Sequence, residues 1–190
     1  NWVRPIEGAD FPQFLELVKK AQVGLSSLPL DEAYLKKRIK DSLSIFEDPN
    51  YDGSSLFVLE DTDLGVVGCC GITPRTGGEH PFYTFELNHE IHPPTQLTRR
   101  EHHPFVKLLK VFQGPTEIGS LFLDPDYRKI GIGKLLSFSR FLFMSNFPSC
   151  FRNEVIAEIR GVISQDGRSP FFEAIGKHFF NMEFPYVDYI

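Results

Sequence analysis

Cysteine, methionine and tryptophan are scarce in this chain: its 190 residues include three, two and one of them. Three cysteines, two of them adjacent at Cys69 and Cys70, exclude a disulfide framework and fit a reducing, cytoplasmic setting. No apolar run approaches the ~20 residues that span a bilayer, and no secretory leader is visible. Positive charge is in deficit, with 20 Lys and Arg against 25 Asp and Glu and a net charge of −5. A nucleic-acid groove or an anionic membrane surface is therefore not an expected partner. Repeats and low-complexity tracts are also missing. Apolar and aromatic residues are plentiful, at 42% and 14%, enough for one substantial core, and residues 1–190 are expected to form a single domain. The chain starts at Asn1 without a methionine, so a fragment or processed chain is expected.

The most informative stretch runs from Ser120 to Leu136: an apolar strand ending Leu121-Phe122-Leu123, a turn at Asp124-Pro125-Asp126-Tyr127, then a helix opened by Gly131 and Gly133. Glycines there leave the N–H groups of a helix's first turn open to an anion, which the helix dipole also favours. Arg128 and Lys134 add positive charge on either side. A P-loop is excluded because Lys134 is followed by Leu135, which has no hydroxyl for magnesium. A dinucleotide fingerprint is excluded because its third glycine would fall at Leu136. The pattern Arg128-x-x-Gly131-x-Gly133 resembles the signature of the GCN5-related N-acyltransferases (GNAT). That resemblance implies a coenzyme A pyrophosphate site over Leu121, Phe122, Leu123, Arg128, Lys129, Ile130, Gly131, Ile132, Gly133 and Lys134.

Along the chain, Trp2 to Ile6 reads as a strand, and Asp10 as the cap of a helix with apolar face Phe11, Phe14, Leu15, Val18 and Ala21. Asp31 caps a second helix reaching Phe46, with Leu35, Ile39, Leu43 and Phe46 inward and Lys36, Lys37, Arg38 and Lys40 as a solvated face. Leu56–Leu59 and Leu64–Ile72 read as a hairpin turning at Asp61-Thr62-Asp63. In the second of these strands, consecutive Cys69 and Cys70 must face opposite ways. Phe82–Leu87 reads as a strand, and His92–Gly119 as an excursion with limited regular structure. After the glycine turn come a helix from Gly131 to about Asn146, a strand at Glu154–Ile159, a short helix near Ser169-Pro170 and a strand near Met182–Tyr186. The aromatics Phe138 and Phe141 are read as core, although so apolar a helix could also meet a partner. The order implies the acyl-CoA N-transferase fold, an α/β (α+β) arrangement with a mixed, mainly antiparallel sheet and helices on both faces.

Longer blocks resemble one family, the bacterial arginine N-succinyltransferases. They include Val3-Arg4-Pro5, Gly24 to Pro29, Phe57 to Asp61, Leu121 to Lys129, Ala157 to Gly161, Ser169 to Phe172 and Gly176 to Phe184. The resemblance implies succinyl transfer from succinyl-CoA to the α-amine of arginine, with Leu121 at a succinyl-CoA-binding position. Glu86 to Glu117 departs from the family pattern, which leaves the amine acceptor, arginine or ornithine, open. Family chains extend well past residue 190, and the histidine acting there as proton donor lies in that later part. A further domain or a homo- or hetero-oligomer is expected. The alternatives are another acyl donor or amine, or a non-catalytic acyl-CoA-binding subunit.

Acyl transfer to an amine needs a group that removes the ammonium proton. Glu86, His89, Glu90 and Glu158 are the candidates, each with an alternative place on a surface or strand edge. Arg160 is a candidate for the succinyl carboxylate, or else for an ion pair with Glu158 or Asp166. Glu86 or Glu90 could receive an acceptor's guanidinium. The histidines His89, His92, His102 and His103 lack the cysteine or carboxylate that would complete a zinc set, and no metal is expected.

Overall fold

The computed structural model describes residues 1–21, 25–47, 53–91, 102–164 and 166–187. Its main sheet has the order β1-β2-β3-β6-β7, formed by Trp2–Pro5, Ser55–Asp61, Gly65–Thr73, Thr116–Leu123 and Val155–Ile156. All neighbours are antiparallel except β6 and β7, which run parallel. A second, two-stranded sheet holds β4 (Gly77–Ile91) and β5 (His102–Gln113). The helices are α1 (Phe11–Ala21), α2 (Glu32–Glu47), α3 (Ile132–Asn146), α4 (Lys177–Phe180) and α5 (Phe184–Val187).

Strand alternation divides the core in two. Leu56, Val58 and Cys69 point to one face, where they pack with Phe14, Leu17, Val18, Leu35 and Ile39 of α1 and α2. Phe57, Leu59, Val67 and Cys70 point to the other, against Leu136 and Met144 of α3. The expected opposition of the two cysteines and the helix-covered sheet both hold. On α1 the buried residues are Phe14, Leu17, Val18 and Ala21, with Phe11 and Leu15 half-buried against the same core as expected, so Leu17 is added to the apolar face. On α2, Ser42 and Ile45 are buried where Leu43 was expected, and Ser42 Oγ accepts from the Leu56 N–H at 2.8 Å. Phe46 meets Phe57 and Phe143 edge-on.

Asp31 caps α2 as expected, accepting from the Tyr34 N–H at 2.8 Å. Asp10 instead closes the short turn before α1, taking the Glu7 N–H at 2.8 Å and both Nη atoms of Arg4 at 2.7 and 2.8 Å. Burial of this carboxyl acts to raise its pKa, but the bonds from Arg4 and Glu7 outweigh it and the net direction is down. Its contribution to stability is therefore complete above the unfolded value near about 3.9, and is lost as pH falls through the lower folded value. Asp10→Asn is expected to flatten the acid limb of a stability profile between roughly pH 5 and 2. An unchanged slope in urea melts across that range would refute this.

Several expectations are corrected. The segment before Gly119 is regular: β5 and the first half of β6 occupy it, while 92–101 lie outside the described residues. Pro104 sits within β5, tolerated because a two-stranded sheet consists only of edges. The strand expected over 154–159 has two residues, because β7 leaves its partner after Ile156. The strand expected near Met182–Tyr186 is α5, and the helix near Ser169-Pro170 is present, with a π-turn over Phe172–Gly176 leading into α4. On α3 the buried residues are Leu136, Arg140 and Met144, whereas Phe138 is 63% and Phe141 44% exposed, so these aromatics are not core.

Candidate functional site

Strand β6 carries an irregularity that shapes the site. Gly71 of β3 pairs with Gly119 and Cys69 with Phe122, so Ser120 and Leu121 stand together opposite Cys70. Ser120 occupies the bulge with φ of +50°, a left-handed backbone that L residues rarely adopt. Thr116 donates its N–H to Glu154 on the β7 side, while Asp124, an even number of residues later, donates to Val67 of β3. A regular strand would keep both on one side; the bulge reverses the alternation. Beyond it, the N–H groups of Leu121 and Leu123 turn away from β3, towards the side from which β7 has parted. Arg140 braces this point, donating to the Gly119 carbonyl at 3.4 Å, the Ser137 carbonyl at 3.2 Å and Ser137 Oγ at 2.9 Å. Burial holds its guanidinium below its ordinary pKa.

The turn after β6 is pinned at several points. Asp124 accepts from the Asp126 N–H at 3.0 Å and from Lys20 Nζ at 2.6 Å. The buried Tyr127 is held by the Asp61 carboxylate, and Lys129 Nζ lies 4.6 Å from its ring centroid. Gly131 then caps α3 with φ of +88°, a conformation that needs glycine. Gly133 differs: a Cβ built on it meets nothing within 4 Å, so its place is open space at the N-terminus of α3. A cavity of about 290 Å³ is lined by Leu121, Leu123, Arg128, Lys129, Gly133 and Leu136. Five of these were expected from the sequence. Phe122 instead packs against the α1–α2 core, and Ile130 is fully exposed. Gly131, Ile132 and Lys134 adjoin the cavity in sequence without lining it.

The remaining candidates are dispersed. Glu86 and His89 lie exposed on β4, in the second sheet; Glu86 accepts from Asn88 Nδ2 at 3.1 Å and stands opposite Lys107. Glu90 pairs with His103 in the backbone register of the same arm, and His92 lies outside the described residues. The arm shows an apolar face made by Tyr83, Phe85, Leu87, Val106 and Leu108. Arg160 is half-buried with its guanidinium 5.8 Å from the Phe184 ring centroid, while Asp166 pairs with Arg168 at 3.1 Å. Glu158 follows β7 and acts electrostatically on Glu117 of β6.

Glu117 was not singled out by sequence reasoning, nor were Ser27 and Ser120, whose hydroxyls meet at 3.0 Å. Arg38 was read as part of a solvated face, yet its Nε is buried and has no hydrogen-bond partner among the described residues. The signal that could have found Glu117 is a lone carboxylate inside an otherwise uncharged strand feeding the glycine turn. Cysteine chemistry is disfavoured: burial pushes the Cys70 thiol up to about 11 and Cys69 higher, so both stay protonated at neutral pH. Among the described residues no group of three or more His, Cys, Asp or Glu could hold a metal ion, and no helix is long and apolar enough to cross a membrane.

A family model described as the arginine N-succinyltransferase beta subunit matches residues 1–190. Curated relatives named arginine N-succinyltransferase include one from Citrobacter koseri, 42% identical over 99% of this chain, and one from Escherichia coli, 39% identical over the same share. The chain spans 56% of their length, about half. Among solved structures, arginine/ornithine succinyltransferase subunit AI from Pseudomonas aeruginosa superposes with a TM-score of 0.91 at 31% identity. That match covers 98% of this chain and 58% of the other.

Proposed function

Because the chain belongs to the arginine N-succinyltransferase beta-subunit family, we propose that it binds succinyl-CoA and takes part in succinyl transfer to the α-amine of arginine. The observation that carries this reading is the cavity after β6, where Arg128 and Lys129 stand beside the open Gly133. Pyrophosphate would lie over the first turn of α3, where unpaired N–H groups and two cations favour it. The pantetheine arm would then run along β6, past the side from which β7 has parted. The thioester oxygen would meet N–H groups redirected by the bulge, donors placed where negative charge develops in the transition state. With both buried thiols protonated, the amine attacks the thioester directly. Arg160 is the candidate for the succinyl carboxylate.

A second reading is an acyl-CoA-binding half that turns over only with further chain or a partner, favoured by the 56% span of its relatives. Thiol release from succinyl-CoA and acetyl-CoA, with arginine, ornithine or no amine, separates these readings when paired with calorimetric titration of CoA. Arginine-dependent release is expected from succinyl-CoA, with acetyl-CoA less than about a tenth as fast, as for a site built to pair a carboxylate. CoA binding without release would favour the half-site reading. No CoA binding would refute both.

A further inference from the structure

From the juxtaposition of Glu117, Arg38 and the Ser120 bulge, we infer that Glu117 takes the proton of an amino-acid acceptor's α-ammonium while Arg38 holds its α-carboxylate. This rests on the acyltransferase reading above and adds to it the groups that receive the amine.

Glu117 lies on β6 just ahead of the bulge, and Ile118, its neighbour, points to the α3 core. Glu117 therefore faces the α1–α2 side. Its carboxylate folds along the strand: a Cβ built on Gly119 would come within 3.4 Å of Glu117 Oε1. It thus lies over the backbone that leads into Leu121. Arg38 approaches from α2, and Glu158 from the chain that leaves β7; these are the charged groups acting on Glu117. Burial is the largest influence on its carboxyl and raises the pKa, Glu158 raises it further and Arg38 opposes them, with a net upward shift. A carboxyl so shifted is a stronger base than a surface glutamate. Arg38 brings a buried N–H that lacks an acceptor among the described residues, which the carboxylate of a zwitterionic amino acid would supply. Ser27, bonded to Ser120, brings the α1–α2 loop to the same place.

The step balances without a further reactant. The α-ammonium gives one proton to a Glu117 carboxylate oxygen, and the freed lone pair forms the N–C bond at the thioester carbonyl carbon. Collapse breaks the C–S bond, and the second proton leaving nitrogen ends on the departing sulfur. Glu117 then returns its proton to water.

The test compares wild type, Glu117→Gln and Arg38→Gln in thiol release from succinyl-CoA, with L-arginine, L-ornithine and agmatine, between pH 5 and 9. Glu117→Gln is expected to lower kcat about 100-fold or more and to remove the acid limb of the pH profile. CoA affinity, KM for succinyl-CoA and the melting temperature should be unchanged. Arg38→Gln should raise KM for arginine at least about tenfold but leave agmatine, which has no α-carboxylate, unaffected. A Glu117→Gln enzyme within twofold of wild type, with its acid limb intact, overturns the assignment. If another amine replaces arginine as substrate, the arginine reading falls while the same comparison still judges Glu117. If no amine supports release, the acyltransferase reading falls, and a ¹³C-carboxyl titration of Glu117 with L-arginine in the presence of CoA decides the rest. An arginine-induced displacement of that signal supports the inference, and its absence overturns it.

Discussion

Gly133→Glu should lower CoA affinity by at least about 100-fold while leaving the protein as stable as before or more so. The two effects part company because Gly133 is in the first turn of α3 with open space around its missing side chain. Replacing an interior helical glycine recovers up to about 1 kcal/mol of backbone entropy, and a carboxylate near a helix N-terminus interacts favourably with its dipole. The same carboxylate fills and charges the place where pyrophosphate would lie. Gly131 is a poorer position for this test, since its φ of +88° would strain any replacement and mix folding with binding. Calorimetry with CoA and a thermal melt measure the two quantities independently. An affinity within threefold of wild type would remove the pyrophosphate assignment.

Phe14→Ala is expected to cost about 3–5 kcal/mol, a large part of the 5–15 kcal/mol typical of a whole domain. Phe14 is fully buried between α1 and the sheet, beside Ile6, Leu35 and Leu56, so truncation leaves a cavity that the flanking strands cannot close. The midpoint of a urea melt should fall accordingly with little change in slope. Phe138→Ala, on the exposed side of α3, is the internal contrast and should shift stability by no more than about 0.5 kcal/mol. Equal losses at the two positions would mean that α3 is packed on both sides.

The glycine turn was legible because its chemistry is local: a strand, a cap and two residues without side chains suffice to define it. The β2–β3 hairpin and the two early helices were legible for a similar reason, since hydrophobic period and caps are written in neighbouring residues. What escaped was decided at a distance. Arg38 resembles Lys36 and Lys37 in sequence, and what sets it apart is a residue far along the chain, Glu117 of β6, on which it acts electrostatically. Leu121, Phe122 and Leu123 look equivalent as an apolar run, yet alternation sends Phe122 to the opposite core. Phe138 and Phe141 read as core because aromatic content says nothing about which side of a helix is covered. The two-residue β7 was invisible because a parallel strand ends where its neighbour diverges, not where its own residues change.

The bulge at Ser120 makes the length of β6 as informative as its composition. Glu154 fixes the phase of the strand at one end and Val67 at the other, and one additional residue reconciles them. Deletion of one residue between Thr116 and Asp124 would restore a regular ladder, yet every N–H beyond it would point to the opposite side. Alignments of related chains can therefore be read for spacing in this segment before any residue is compared. A relative that keeps the interval retains the outward amides, and under the proposed succinyl transfer one that alters it would need another means of polarising the thioester.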